Sequence, residues 1–161
     1  MADEQISSEQ QLVVFTLSGG AYGVDIGTVR EIIRMQEITQ IPKTPVYVEG
    51  VINLRGRVIP VLDLRRRFGL EVTEYTQDTR IVVIDIGGTD IGAIVDEVTE
   101  VLRVPLGSIE PPSDVVLGDD SEYVVGVVKL GERLVILLEL ARALSEEERA
   151  TMGLLEPVTT T

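Results

Sequence analysis

The chain of 161 residues contains no cysteine and no histidine. Disulfides, structural zinc of the usual kind, thiol nucleophiles and imidazole general bases are thereby excluded. Aromatic residues make up only 4%, so a core must be packed from Val, Ile and Leu, and enrichment in β-branched residues favours sheet. No run of 18 apolar residues occurs, so neither a transmembrane helix nor direct membrane insertion is predicted. The first ten residues, MADEQISSEQ, lack the basic and apolar regions of a signal peptide, which predicts a cytoplasmic protein. Basic residues are outnumbered 14 to 27, for a net charge of −13. Nucleic-acid binding, which needs clustered cations to release counterions, is not expected.

What is present is a duplication. Gly50 to Leu64 reads GVINLRGRVIPVLDL, and Gly126 to Leu140 reads GVVKLGERLVILLEL. Gly50/Gly126, Val51/Val127, Leu54/Leu130, Arg57/Arg133, Leu62/Leu138 and Leu64/Leu140 are identical, and Asp63 faces Glu139. Each copy has two strand-like runs around a polar break, then a carboxylate, which is a hairpin leading into a helix. The similarity extends upstream, through Gly19/Gly88, Gly23/Gly92, Val29/Val98, Glu31/Glu100 and Pro42/Pro105. Short strands separated by Gly and Pro turns suggest two small barrels, each burying too little alone and stable when packed together.

Taken in order, residues 1–10 read as a flexible N-terminus and 155–161 as a loose tail. Leu12–Leu17 with Tyr22–Ile26, and Arg80–Ile86 with Asp90–Asp96, are predicted hairpins closed by Gly pairs. Thr28 with Glu31 spells a capping box, so Val29, Ile32 and Ile33 are predicted on one face of a short helical turn. Val98, Val101 and Leu102 are predicted on its counterpart. Residues 107–121 read as a loop. A short helix is predicted from Leu64 to Phe68, closed by Gly69, another near Glu139 to Leu144, and a C-terminal helix starting at Ser145.

The search for catalytic machinery fails. No P-loop or dinucleotide fingerprint is present. Asp85, Asp90 and Asp96 read as solvated strand-end carboxylates rather than a metal site. A carboxylate-only hydrolase would need two inward carboxylates in a closed cleft. The triplet Arg65-Arg66-Arg67 reads as a solvated face. Arg55 stands apart: it occupies the hairpin turn Asn53-Leu54-Arg55-Gly56, where the second copy has Gly131, and its guanidinium can reach a carboxylate, with Glu31 the candidate. The two apolar turns, as lids on two packed barrels, suggest a groove for a partner helix.

The runs YGVDIGTVREIIR, GVINLRGRVIPVLDLRRRF and DIGAIVDEVTEVLRV together resemble the CheW-type chemotaxis coupling proteins, over about residues 10–150. The resemblance implies a mainly β fold of two packed five-stranded SH3-like barrels, with short helices and a C-terminal helix. Residues 11–154 then form a single domain, with subdomain 1 over roughly 12–79, subdomain 2 over roughly 80–144, and strand exchange between them. It implies no catalysis and no cofactor. The partners it implies are the regulatory domain of the histidine kinase CheA and the cytoplasmic tip of chemoreceptors, bound by a monomer that joins a larger array. Carried over by position, Val29, Glu31, Ile32, Gly50, Asn53, Arg55, Val98 and Val101 match the receptor-binding groove and its support. Kinase contacts are expected only as apolar residues at barrel ends.

Overall fold

The computed structural model describes residues 9–44, 48–112 and 123–143. The β-branched runs form eleven strands: β1 (Glu9–Leu17), β2 (Gly20–Asp25), β3 (Val29–Arg34), β4 (Val48–Leu54), β5 (Arg57–Asp63), β6 (Arg80–Ile86), β7 (Thr89–Val95), β8 (Glu97–Pro105), β9 (Ile109–Glu110), β10 (Val124–Leu130) and β11 (Arg133–Leu138). Only one α-helix accompanies them among the described residues, α1 (Leu64–Arg67). Asp63 caps it, and Gly69, at φ +71°, supplies the left-handed residue after its end. Glu9 and Gln10 belong to β1, so the predicted N-terminal fray does not reach residue 10. Residues 113–121 of the predicted loop, Leu144, and the predicted C-terminal helix and tail lie outside the described residues.

The strands form two sheets, in the orders β8-β1-β2-β11-β10-β9 and β3-β6-β7-β5-β4. The hairpin β1–β2 thus lies among strands of the second half, and β6–β7 among strands of the first. β2 pairs in parallel with β11, and β7 in parallel with β5. In each sheet the chain leaving one edge strand goes on to the opposite edge: after β3, Thr39 bridges Val51 of β4, and after β8, β9 pairs with β10. The architecture is mainly β in two units, as predicted, with six strands in one sheet instead of five.

Three apolar clusters account for the packing. Ile52, Leu54, Ile59, Val61, Ile81, Val83 and Ile94 fill the inner face of the five-stranded sheet. Leu12, Val14, Val128, Val135 and Leu137 do the same in the six-stranded sheet. Between the sheets lies the largest cluster, which includes Val13, Phe15, Leu17, Val82, Ile84 and Leu138. Successive residues of β1 and β6 therefore enter different clusters, and strands buried on both faces read as continuous apolar runs. Gly23 and Gly92 share one reason for being glycine: a Cβ would lie 3.3 Å from Val135 Cγ1 in the first case and 2.8 Å from Ile81 Cγ2 in the second.

The predicted helical turns are strands instead. Asp25, not Thr28, caps the 3₁₀ turn Ile26–Thr28, through Gly27 N–H at 2.9 Å, and β3 starts at Val29. Val98, Val101 and Leu102 likewise lie on β8. The physical reason is a β-bulge in each: pairing with the neighbouring strand skips Arg30 and Thr99. A bulge shifts side-chain parity, so Val29 packs into the central cluster while Ile33 packs into the inner one. That produces apolar spacings resembling a helix. The Pro42/Pro105 equivalence also fails: Thr39 and Glu110 are the residues paired with Val51 and Val127, so Pro105, which ends β8, has no counterpart at Pro42. Within the predicted loop 107–121, a second 3₁₀ turn ends at Ser108 and β9 follows. Near Glu139, a 3₁₀ turn over Leu140–Ala143 replaces the predicted helix.

Candidate functional site

The turn after β4 holds Arg55 at φ +54° and Gly56 at φ +86°, the left-handed pair of a two-residue hairpin. An L-residue with a side chain occupies that region at a cost of roughly 1–2 kcal/mol. Asn53 offsets part of this by accepting from Gly56 N–H through Oδ1 at 2.8 Å. The strained position points the Arg55 guanidinium back across the sheet end, where Nη2 pairs with Glu31 Oε2. The predicted Arg55–Glu31 contact is thus present, joining β3 to the β4–β5 turn. Ile32, between Glu31 and the opposite face, is 39% exposed.

A second ion cluster lies beside it. Arg30 meets Asp85 Oδ2 and Asp90 Oδ1, each at 3.3 Å, and Arg57 pairs with Asp90 Oδ2. Asp85 and Asp90 face each other in the β6–β7 ladder. These are not solvated carboxylates: Asp90 bridges two arginines, Asp85 also accepts from Gly88 N–H, and Asp96 accepts from Ser18 N–H at 2.7 Å. Arginines already neutralise the pair, and no group of carboxylates suited to a metal occurs among the described residues.

Val29, at the start of β3, is half-buried against the central cluster, and Gly50 lies on β4, the opposite edge of the sheet. Gly50 is at φ +147°, and a Cβ there would lie 2.1 Å from the Thr39 carbonyl oxygen. Only glycine lets β4 take its bridge to Thr39, whose N–H and C=O exchange bonds with Val51 at 2.8 and 2.9 Å. Val98 and Val101 belong to β8, the edge of the other sheet. Val98 is half-buried against the central cluster, while Val101 is 53% exposed. The structure therefore pairs Glu31 directly with Arg55, has Asn53 brace the turn that carries Arg55, and keeps Val29 and Ile32 on the strand of Glu31. It leaves Gly50 at its own bridge to Thr39 on the opposite edge of the sheet, and carries Val98 and Val101 on an equivalent but separate strand. Two cavities, of about 230 and 390 Å³, are lined by none of the eight.

One set of residues escaped the sequence reading. Arg65 is only 2% exposed, beside the fully buried Asp63. Its Nη2 lies 3.2 Å from Asp63 Oδ2, its Nη1 lies 3.3 Å from Asp96 Oδ1, and Nη1 donates to Thr73 Oγ1 at 3.0 Å. The Tyr75 ring lies 5.3 Å from the guanidinium carbon, and its hydroxyl donates to Asp63 Oδ2 at 3.3 Å. Burial draws the Arg65 pKa down, but the hydrogen bond and charge of Asp63 and the charge of Asp96 prevail, and the net shift is upward. The solvated-triplet reading fails for Arg65 because residues 70–79 fold over it. A buried carboxylate followed two residues later by arginine at a helix start was the only available signal. Asp63 is fully buried with both oxygens engaged, Oδ1 by the Arg65 backbone N–H and Nε and Oδ2 by Arg65 Nη2 and the Tyr75 hydroxyl, which makes it a structural ion-pair member.

Comparison with known proteins yields a consistent answer. Residues 11–148 match the family model described as the CheW-like domain. The chain is 37% identical over 141 residues to chemotaxis protein CheW of Klebsiella aerogenes, covering 88% of this chain and 85% of that protein. It is 36% identical over 148 residues to chemotaxis protein CheW of Treponema pallidum, covering 89% and 87%. The crystal structure of the scaffolding protein TtCheW from Thermoanaerobacter tengcongensis superposes with a TM-score of 0.80 at 40% identity, over 86% of this chain and 94% of that one.

Proposed function

We propose that this chain, which belongs to the CheW-like domain family, is a non-catalytic adaptor coupling methyl-accepting chemoreceptors to the regulatory domain of the histidine kinase CheA. The observation that carries the reading is the exposed Ile32, set on an edge strand beside the Glu31–Arg55 pair. An apolar anchor on a rigid strand, framed by oriented charge, suits a partner helix better than a small molecule. In this reading Val29, Glu31, Ile32, Gly50, Asn53, Arg55, Val98 and Val101 bind the receptor's cytoplasmic hairpin or support the residues that do. The kinase docks elsewhere, through apolar residues at a barrel end. The adaptor works in the cytoplasm and is drawn to membrane receptor arrays by its partners; no described helix is long and apolar enough to cross a membrane.

Coupling then follows from geometry. A receptor that changes its presented face changes which arrangement of the assembly is favoured, and kinase activity follows that population. The test is a pull-down of the folded chain, at micromolar concentration, with receptor hairpin tips and with the kinase regulatory domain. Retention of both is expected, and retention of neither would end the proposal.

A further inference from the structure

Of the twelve arginines in the chain, Arg149 lies outside the described residues. Nine of the other eleven pair with, or donate to, a group of the chain. The two without such a partner are Arg34 and Arg103. In a chain with 27 acidic residues against 14 basic ones, an arginine does not stay unpaired for want of carboxylates. Arg34 also lies opposite Arg80 in the β3–β6 ladder, a like-charge pairing that costs stability.

The two positions are equivalent. Arg34 follows the exposed Ile32 by two residues on β3, and Arg103 follows the exposed Val101 by two residues on β8. Each strand is a sheet edge with a bulge at its start. On each, an apolar side chain and a free guanidinium stand on one outward face. A bulged edge resists addition of another strand, so the face, not the backbone edge, is what a partner meets. Alternate residues of a strand are separated by about 6.6 Å, and one helical step from i to i+4 rises about 6 Å. An apolar residue seated on Ile32 or Val101 therefore brings a carboxylate one turn away opposite the arginine.

We infer that both edge strands read the same chemistry, an acidic amphipathic helix with a carboxylate one turn from an apolar anchor, through Ile32 with Arg34 and Val101 with Arg103. The inference rests on the receptor-binding reading and specifies the charge of the helix that it takes. It adds Arg34 and Arg103 to the binding surface and makes the two halves of the duplication functionally equivalent there.

The test uses the full chain and the cytoplasmic hairpin of a chemoreceptor from the same organism, with affinity measured at 50 and 300 mM salt. Arg34→Gln and Arg103→Gln should each weaken binding by about 3- to 10-fold. Arg34→Glu with Arg103→Glu should weaken it by about 100-fold and flatten its salt dependence, at a melting temperature no lower than the wild type's, because the first substitution places a carboxylate opposite Arg80 across the ladder. Ile32→Asp is the reference. If it abolishes binding while the Glu variants bind like the wild type at both salts, the charge inference is overturned and the receptor reading survives. If wild type does not bind the hairpin at all, both fall. Loss of kinase-domain binding alone in the Glu variants, or loss of a self-associated dimer, would replace the receptor helix as occupant and overturn the inference.

Discussion

The hairpins β4–β5 and β10–β11 share their first glycine, Gly50 and Gly126, their apolar slots and even their bulges, at Glu49 and Val125. Their charges differ. The turn of the first carries Arg55 where the second carries Gly131, both in the left-handed region. Arg55 takes Glu31, and Arg57 is occupied with Asp90; in the second half Arg133, the counterpart of Arg57, takes Glu100 at 3.1 Å. After the hairpins, Asp63 and Arg65 are buried together, whereas Glu139 and Arg142 form an exposed i,i+3 pair and Ala141 stands where Arg65 would be. The duplication maintains packing, and packing tolerates little change. Charge at the rims is freer to diverge, and there the first half has become the specialised one.

The largest expected difference between the halves lies at Arg65. Arg65→Ala strands the buried Asp63 and should cost about 3–5 kcal/mol in urea unfolding, while Arg142→Ala should cost at most about 0.5 kcal/mol. Replacing Asp63 and Arg65 jointly by apolar residues of similar volume should recover much of the loss. Equal effects at Arg65 and Arg142 would show that the buried network adds nothing to the first half.

Next comes the glycine pair. Gly50→Ala meets a backbone oxygen at strained φ and should cost about 3 kcal/mol. Gly126→Ala meets Ile109 Cγ2 at 2.6 Å, a side-chain atom that can move, and should cost about half as much. Comparable losses would make the Thr39 bridge unimportant.

Smaller still is the turn itself. Arg55→Gly converts the first turn toward the second, relieving backbone strain while losing an exposed ion pair. Stability should change by less than about 1 kcal/mol, but receptor affinity should fall if the specialised turn serves binding. A double-mutant cycle on Glu31 and Arg55 should give a coupling below about 1 kcal/mol, and additivity would argue against the pair.

The finest difference is a proton. Burial, then the charges of Asp63 and Glu49, push the Tyr75 hydroxyl from 10 up to about 12. The unfolded chain releases that proton first, so the stability involved is complete below pH 10 and is lost as pH rises through 12. Tyr75→Phe should flatten that part of the stability profile; an unaltered slope would remove Tyr75 from the network.

The hairpins were legible because Gly pairs and two-residue alternation are local signals. The Arg55–Glu31 contact was legible because one copy kept a side chain where the other has glycine. β3 and β8 were not. A bulge at Arg30 and at Thr99 turns a strand's parity into a helix-like spacing, and Thr28 with Glu31 imitates a capping box. Arg65 was hidden for a different reason: an arginine triplet looks solvated until a connector distant from any motif covers it.

By itself, then, the sequence determined a mainly β, internally duplicated fold without thiol, imidazole or zinc chemistry, because composition and short-range periodicity encode those properties directly. Only the tertiary structure decided which hairpin lies in which sheet, which arginine is buried and which two of the described arginines remain unpaired. Those depend on contacts between residues far apart in the chain, and on burial that no local pattern contains.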